Sequence, residues 1–210
     1  MVHSNVKDEL LEKMKNYIHK FFGENPKESN DMVRIVDQTA TERLLGHLKT
    51  AEVYHGGDFD IAEKYIAPTI LNNVKNTDPI MGEEIFGPIL PVLKYDNLDD
   101  TIDFINKRDK PLAFYLFTES PKIEKKVLGS TSSGGGCVND TVVHPGVSNL
   151  PFGGVGASGM GAYHGKRSFD AFSHKRGIVK QSTFFDLPIR YFPLKDKLVP
   201  VLRWIFEKLS

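Results

Sequence analysis

From residue 51 onward the chain alternates short apolar runs with amphipathic stretches, and this alternation constrains the fold more than any other feature. The run LAFYLFT (112–118) has the nearly continuous apolar pattern of a strand buried on both faces. Amphipathic helices are predicted before and after it, over 97–108 and 120–129. Strands that alternate with helices predict an α/β fold with a largely parallel sheet.

The other predicted elements extend this pattern toward both ends. Apolar residues at three- and four-residue spacing predict a helix over 5–22, capped at its start by Ser4 or Asn5 and ended by Gly23. Further elements are a helix over 39–49, strands over 51–57, 65–71, 88–95, 136–140 and 176–182, and an amphipathic C-terminal helix over 198–209, interrupted near Pro200.

Composition limits the compartment and the partners. One cysteine among 210 residues forms no internal disulfide and fits a reducing compartment. No apolar run approaches the roughly 18 residues of a membrane span, and the N-terminus is too polar for a signal peptide. We therefore expect a cytoplasmic protein, whose C-terminal helix packs on the domain or, alternatively, lies on a membrane surface.

The formal net charge is zero, although the two halves of the chain differ in charge. Residues 1–100 carry 11 Lys/Arg and 18 Asp/Glu, and residues 101–210 carry 16 and 9, which gives −7 and +7. Because no basic stripe is interleaved with aromatic residues, we favour charges that balance across the protein's faces and expect no nucleic-acid partner.

Glycine is concentrated between residues 129 and 165, which hold 11 of the 18 glycines. Such density indicates unusual backbone conformations or close backbone approach. Gly154, Gly156 and Gly159 match the G-x-G-x-x-G dinucleotide fingerprint. That fingerprint needs a strand before it and a helix after it, which the flanking sequence does not predict. We therefore do not interpret this segment as a phosphate-binding loop.

Two other groups of residues carry possible chemistry. Cys137, Asp140 and His144 are a nucleophile, an acid and a base, but on an extended chain residues 137 and 144 lie too far apart to bond without a sharp reversal. We favour a small buried cysteine over a cysteine hydrolase. The segment Glu83-Glu84-Ile85-Phe86-Gly87-Pro88 is either a solvated turn or a rigid loop that presents a carboxylate and an aromatic ring to a ligand. The seven histidines have no metal-ligand spacing, so no metal site is expected.

Several stretches taken together resemble aldehyde dehydrogenases of the class 3 or fatty-aldehyde type. They are YIAPTIL (65–71), MGEEIFGPILPV (81–92), INKRDKPLAFYLFT (105–118), SGGGCVND (133–140), LPFGGVGASGMGAYHGKRSFDAFSHKR (150–176) and DLPIRYFP (186–193). The resemblance implies oxidation of an aldehyde to a carboxylic acid with NAD or NADP. In that family a cysteine thiolate attacks the aldehyde, hydride leaves to the nicotinamide, and a glutamate base assists hydrolysis of the thioester.

The resemblance also implies roles for particular residues. Glu84 would hold the nicotinamide ribose, and Phe86 would pack against the nicotinamide end of the cofactor. Phe152 would line the aldehyde pocket, with Asn139 and His144 close to it. Residues 176–182 would form a bridging strand that extends a sheet across a subunit interface, in a homodimer or in a heterodimer with full-length subunits.

The chain also departs from the family pattern. The family's nucleophilic cysteine lies just upstream of the helix at 5–22, its motif is not present, and Cys137 does not replace it. The base glutamate and the Rossmann cofactor domain belong to the same missing half. We therefore expect an incomplete catalytic domain (1–145), a glycine-rich active-site loop region (146–175), a bridging strand (176–183) and a C-terminal tail (184–210). Alone it would retain no catalytic residue and be inactive; the alternative is a non-catalytic partner of full-length subunits.

Overall fold

A computed structural model describes residues 1–186, Tyr191 and residues 199–209. Its helices are α1 (Ser4–Phe22), α2 (Gln38–Leu48), α3 (Leu98–Asn106), α4 (Pro121–Ser130), α5 (Gly165–Ala171) and α6 (Val199–Leu209). Its strands are β1 (Val2–His3), β2 (Glu52–His55), β3 (Phe59–Asp60), β4 (Tyr65–Ile66), β5 (Thr69–Asn72), β6 (Ile89–Pro91), β7 (Lys94–Tyr95), β8 (Ala113–Leu116) and β9 (Gly135–Val138). The predicted helices and most predicted strands form within a few residues of their expected positions.

The described strands form four small sheets. Parallel pairs join β1 to β7, β5 to β6 and β8 to β9, and antiparallel pairs join β2 to β5 and β3 to β4. Three of these five pairings are parallel, and α3 and α4 separate β7, β8 and β9 along the chain. The α/β class is therefore confirmed, although the parallel strands are divided among small sheets.

The main core lies where α2 packs on the β5–β6 sheet. Leu44 of α2 and Leu71 of β5 are completely buried there, beside Ile66. Leu11 of α1 packs against Ile70 in a neighbouring cluster. The helix over 5–22 is thus confirmed, but the side chain that caps it is His3, whose Nδ1 accepts a hydrogen bond from the Asn5 backbone N–H at 3.2 Å.

The expectation that 112–118 is a strand buried on both faces is wrong for the described structure. Each residue of β8 is only half-buried, and Leu112 and Phe117 beside it are exposed. Among the described strands β8 pairs with β9 alone. The apolar pattern therefore predicts the strand correctly but overestimates how deeply its two faces are buried.

Two predictions concern the C-terminal part of the chain. Residues 176–182 form no strand within the single chain, where no other described segment pairs with them; the predicted bridging strand would pair with another subunit and stays a prediction. Helix α6 has Pro200 in its first turn, where proline is tolerated, so the predicted interruption is absent. Part of the tail predicted over 184–210 and most of the 186–193 stretch lie outside the described residues. No helix in the described part of the chain is long and apolar enough to cross a membrane.

Candidate functional site

The loop over residues 83–87, just before β6, is fastened to helix α2 by one arginine. Arg43 Nη1 donates to Glu83 Oε1 at 2.8 Å and to the Glu84 carbonyl at 3.4 Å. Its Nη2 donates to the Ile85 carbonyl at 2.7 Å. A single guanidinium therefore bonds three consecutive residues of this loop.

The two adjacent carboxylates of the loop have different surroundings. Glu83 lies 2.6 Å from His47 Nε2 as well as beside Arg43, and these two groups, Arg43 first, hold the pKa of the Glu83 carboxyl below its ordinary value. The Glu84 side chain is exposed, and its carboxylate makes no hydrogen bond or ion pair within the described residues. Glu83 thus holds the loop in place, whereas Glu84 is available to an external donor.

Phe86 lies beside Glu84 and also points away from the core. Its side chain is 82% exposed, and its φ of +49° is in the left-handed region. The next residue, Gly87, packs closely on α2, because a Cβ there would lie 2.5 Å from Leu44 Cδ1. Helix α2 therefore holds the loop in place, and the loop presents a carboxylate and an aromatic ring to solvent. This favours the rigid-loop interpretation of the segment over a solvated turn.

The expectation that Cys137 and His144 do not meet is wrong. Cys137 Sγ lies 3.5 Å from His144 Nδ1. The sharp reversal that this requires is present, since Asn139 and Val142 both adopt positive φ, at 56° and 59°. Asp140 does not join the pair, because its carboxylate accepts a hydrogen bond from the Thr141 backbone N–H at 2.7 Å.

His144 belongs to an aromatic cluster that includes Phe152. The His144 ring is centred 5.9 Å from Tyr115 and 5.8 Å from Phe152, and Phe152 lies 5.6 Å from Tyr163. His144 is only 7% exposed, and its Nε2 has no hydrogen-bond partner among the described residues. Phe152 and Tyr163 also exchange two backbone hydrogen bonds of 3.0 Å. The structure therefore brings together two of the three residues expected near a substrate pocket.

The third of these residues, Asn139, uses both ends of its side-chain amide in hydrogen bonds to the backbone of Thr118. Its Oδ1 accepts from the Thr118 backbone N–H at 2.8 Å, and its Nδ2 donates to the Thr118 carbonyl at 2.9 Å. Both bonds join the end of β9 to the chain that follows β8. Asn139 therefore stabilises the framework of the aromatic cluster through its side chain.

The glycine-rich segment packs backbone against backbone. A Cβ at Gly136 would lie 2.0 Å from the Phe114 carbonyl oxygen, and at Gly154 it would lie 2.0 Å from the Ser158 oxygen. Residues 156–158 form a short 3₁₀ turn, and the next helix, α5, begins only at Gly165. This is not the strand–turn–helix arrangement of a dinucleotide fingerprint. At Gly136 and Gly154, glycine is required for close packing instead.

Sequence reasoning missed Arg43 and His47. Their four-residue spacing puts them on one face of α2, but no local signal connects that face to Glu83, which is 40 residues from Arg43 along the chain. Among the described residues, no three His, Cys, Asp or Glu side chains are arranged to hold a metal ion.

Comparison with known proteins gives consistent matches over most of the chain. The family model described as aldehyde dehydrogenase family matches residues 1–178. Aldehyde dehydrogenase family 3 member B1 of Rattus norvegicus is 47% identical over 205 residues, which cover 97% of this chain and 44% of that protein. The dimeric NADP-preferring aldehyde dehydrogenase of Mus musculus is 47% identical over 178 residues, or 85% and 39%. The chain therefore spans less than half the length of these relatives.

A solved structure matches equally well. The substrate-bound state of Staphylococcus aureus AldH is 43% identical and superposes with a TM-score of 0.88, covering 98% of this chain and 45% of that one.

Proposed function

Because this chain belongs to the aldehyde dehydrogenase family, we propose that it supplies part of the catalytic domain of an enzyme that oxidises an aldehyde to a carboxylic acid with NAD or NADP. Its contribution is a contact for the nicotinamide ribose and one wall of the aldehyde pocket. The observation that carries this proposal is the pair of exposed side chains, Glu84 and Phe86, on a loop that α2 holds in place.

The residues of this loop fit the nicotinamide end of the cofactor. A carboxylate whose oxygens have no protein partner is a suitable acceptor for two ribose hydroxyls. An exposed phenyl ring next to it offers a flat apolar face for an aromatic ring. When bound, NAD or NADP supplies the hydride acceptor of the reaction. Glu84 orients the ribose and Phe86 excludes water from one face of the ring.

The aromatic cluster fits the aldehyde side of the site. Phe152 is half-buried and lies against His144, which is buried, so one face of the phenyl ring is covered by protein. We assign Phe152 to contact with the apolar part of the aldehyde, with His144 behind it. Asn139 supports the pocket indirectly, because its side chain joins the ends of the two strands that carry the aromatic cluster.

The cofactor contact is tested by titrating the 210-residue chain with nicotinamide mononucleotide, which carries the nicotinamide, its ribose and a 5′-phosphate but lacks the adenylate half of the cofactor. Glu84→Gln keeps the size of the side chain and removes its charge, so affinity is expected to fall about tenfold, the range of one charge-assisted hydrogen bond. Glu119→Gln, another exposed glutamate, is the matched control and is expected to have no effect. Equal affinity of wild type and Glu84→Gln would remove Glu84 from the cofactor contact.

On its own, the 210-residue polypeptide is proposed to be inactive as a dehydrogenase. Its one cysteine, Cys137, lies beside His144 in the pocket framework and does not take the place of the family's nucleophile. The expected result is no aldehyde-dependent formation of NADH or NADPH by the purified chain. Steady formation would contradict the inactivity, and formation that is lost in Cys137→Ser would contradict both statements.

A second candidate function is association with full-length subunits. Ile178 and Val179 are exposed, at 71% and 96%, in a segment that pairs with no other described residues. One relative is named as dimeric. We propose that residues 176–182 pair with the same family's subunits, including a second copy of this chain. Co-purification with a full-length relative is expected to be lost in Val179→Pro, and a strictly monomeric chain that captures no such subunit would refute it.

A further inference from the structure

Phe86 has a backbone conformation that its own side chain does not explain. A bulky residue at positive φ is uncommon and strained, and such strain persists only where the surroundings fix it. The phenyl ring is 82% exposed, so burial of the ring does not hold the residue there. The constraint must come from the neighbouring backbone.

The neighbouring backbone is bonded by two arginines. Arg43 donates to the carbonyls of Glu84 and Ile85, directly before Phe86. Arg108 donates to the Met81 carbonyl on the other side of Glu83. Carbonyls in an exposed loop are ordinarily solvated by water, and here three of them accept from guanidinium groups. The loop is therefore held by directed, charge-assisted bonds.

Helix α2 provides the rest of the support. Arg43 and His47 share one face of the helix and both contact the Glu83 carboxylate, at 2.8 and 2.6 Å. Leu44, between them, is completely buried and lies under Gly87. The guanidinium bonds a carboxylate and two carbonyls at once, which a lysine ammonium with its single point charge does not reproduce in this geometry.

We propose that Arg43 is a positioning residue for the cofactor contact, with Glu83 as its counter-charge. By bonding Glu83, Glu84 and Ile85 together, it holds the loop in the strained conformation that presents the Glu84 carboxylate beside the Phe86 ring. The inference rests on the proposed function only for the identity of the ligand. The ordering of the loop is a property of the chain itself and is tested separately.

The ordering is tested by ¹⁵N relaxation of the full chain. Residues 84–87 of the wild-type chain are expected to show order parameters of about 0.85, and the same residues in Arg43→Ala are expected to show values below about 0.6. Arg34→Ala is the matched control, because it also removes two bonds to backbone carbonyls, of 2.9 and 2.7 Å, but at residues 32 and 27. Glu83→Gln, which leaves the guanidinium in place, is expected to give intermediate values and serves if Arg43→Ala does not fold. Unchanged order in both loop variants overturns the proposal.

Chemical rescue separates positioning from a general structural role. Methylguanidinium at millimolar concentration is expected to restore loop order in Arg43→Ala, and methylammonium is not, since only the former has the planar donor geometry. Affinity for nicotinamide mononucleotide is expected to fall about tenfold in Arg43→Ala and to return with methylguanidinium. A disordered loop with unchanged affinity overturns the proposal. If wild type does not bind the nucleotide at all, the proposed cofactor contact fails, and the relaxation result alone decides whether Arg43 holds the loop.

Discussion

Replacing Gly136 with alanine is expected to separate the two strands that carry the aromatic cluster. Gly136 of β9 pairs with Phe114 of β8 in a parallel ladder of four residue pairs. A Cβ at residue 136 would lie 2.0 Å from the Phe114 carbonyl oxygen and 3.0 Å from its carbonyl carbon. Since a carbon and an oxygen approach no closer than about 3.3 Å in ordinary contact, the strands must move apart locally by roughly 1 Å.

The size of the effect follows from this displacement. Overpacking of this kind costs about 1–3 kcal/mol. Two weakened ladder hydrogen bonds add about 1 kcal/mol each. We therefore expect Gly136→Ala to lower the free energy of unfolding by about 3–5 kcal/mol and the melting temperature by about 6–20 °C in a chain of this length.

Urea and thermal denaturation followed by circular dichroism measure this loss. Gly129→Ala is the control, because Gly129 lies in α4 with no atom within 4 Å of the added methyl. It is expected to stabilise the chain by about 0.5–1 kcal/mol, since alanine loses less backbone entropy in a helix. If Gly136→Ala lowers the free energy of unfolding by less than about 0.5 kcal/mol, within the range of ordinary surface changes, the close packing of β8 on β9 is refuted.

Three further predictions test the supports of the site. Leu44→Ala is expected to lower the unfolding free energy by about 2–5 kcal/mol, because Leu44 is completely buried. Leu128→Ala removes an exposed side chain and should change the unfolding free energy by less than about 0.5 kcal/mol. Equal effects of the two variants in urea denaturation would contradict the assigned core. Asn139→Ala loses both bonds to Thr118 and puts alanine at positive φ, so about 2–3 kcal/mol should be lost in urea denaturation. Asn139→Gly should recover the part of this loss that comes from alanine at positive φ. If Asn139→Gly is no more stable than Asn139→Ala, the positive φ of residue 139 does not contribute to the loss. Because the pKa of Glu83 is lowered in the folded chain, its ion pairs contribute fully above the unfolded pKa and are lost as pH falls through the folded one. Order parameters of residues 84–87 should therefore drop on acidification below the ordinary glutamate range, and a drop of equal size in Glu83→Gln would disprove that cause.

Local periodicity was enough to predict five of the six helices in the described part of the chain, but not the seven-residue α5. The three- and four-residue spacing over 5–22 locates α1 well, and Gly23 ends it with a φ of +77°. Its apolar face is only partly used, however, because Tyr17 and Phe21 are exposed and contact each other at 5.5 Å. Spacing thus locates a helix but does not determine which of its apolar residues meet a partner.

The site residues depend on contacts that sequence spacing does not contain. The approach of Cys137 to His144 requires positive φ at Asn139 and Val142, and valine gives no signal for that conformation. The position of the loop over residues 83–87 depends on Arg43, and the tertiary packing of α2 determines that Arg43 pairs with Glu83. The identities of Glu84, Phe86 and Phe152 came from family resemblance, and their surroundings came from the structure.

Phe86 and Glu84 are proposed to contact the nicotinamide end of the cofactor. The most direct measurement is a search for nuclear Overhauser effects between the Phe86 ring protons and the nicotinamide ring protons in the 210-residue chain with nicotinamide mononucleotide. Cross-peaks to Phe86 are expected, and they should weaken in Glu84→Gln in proportion to the lost affinity. Cross-peaks to a different surface, with none to Phe86, would contradict this contact.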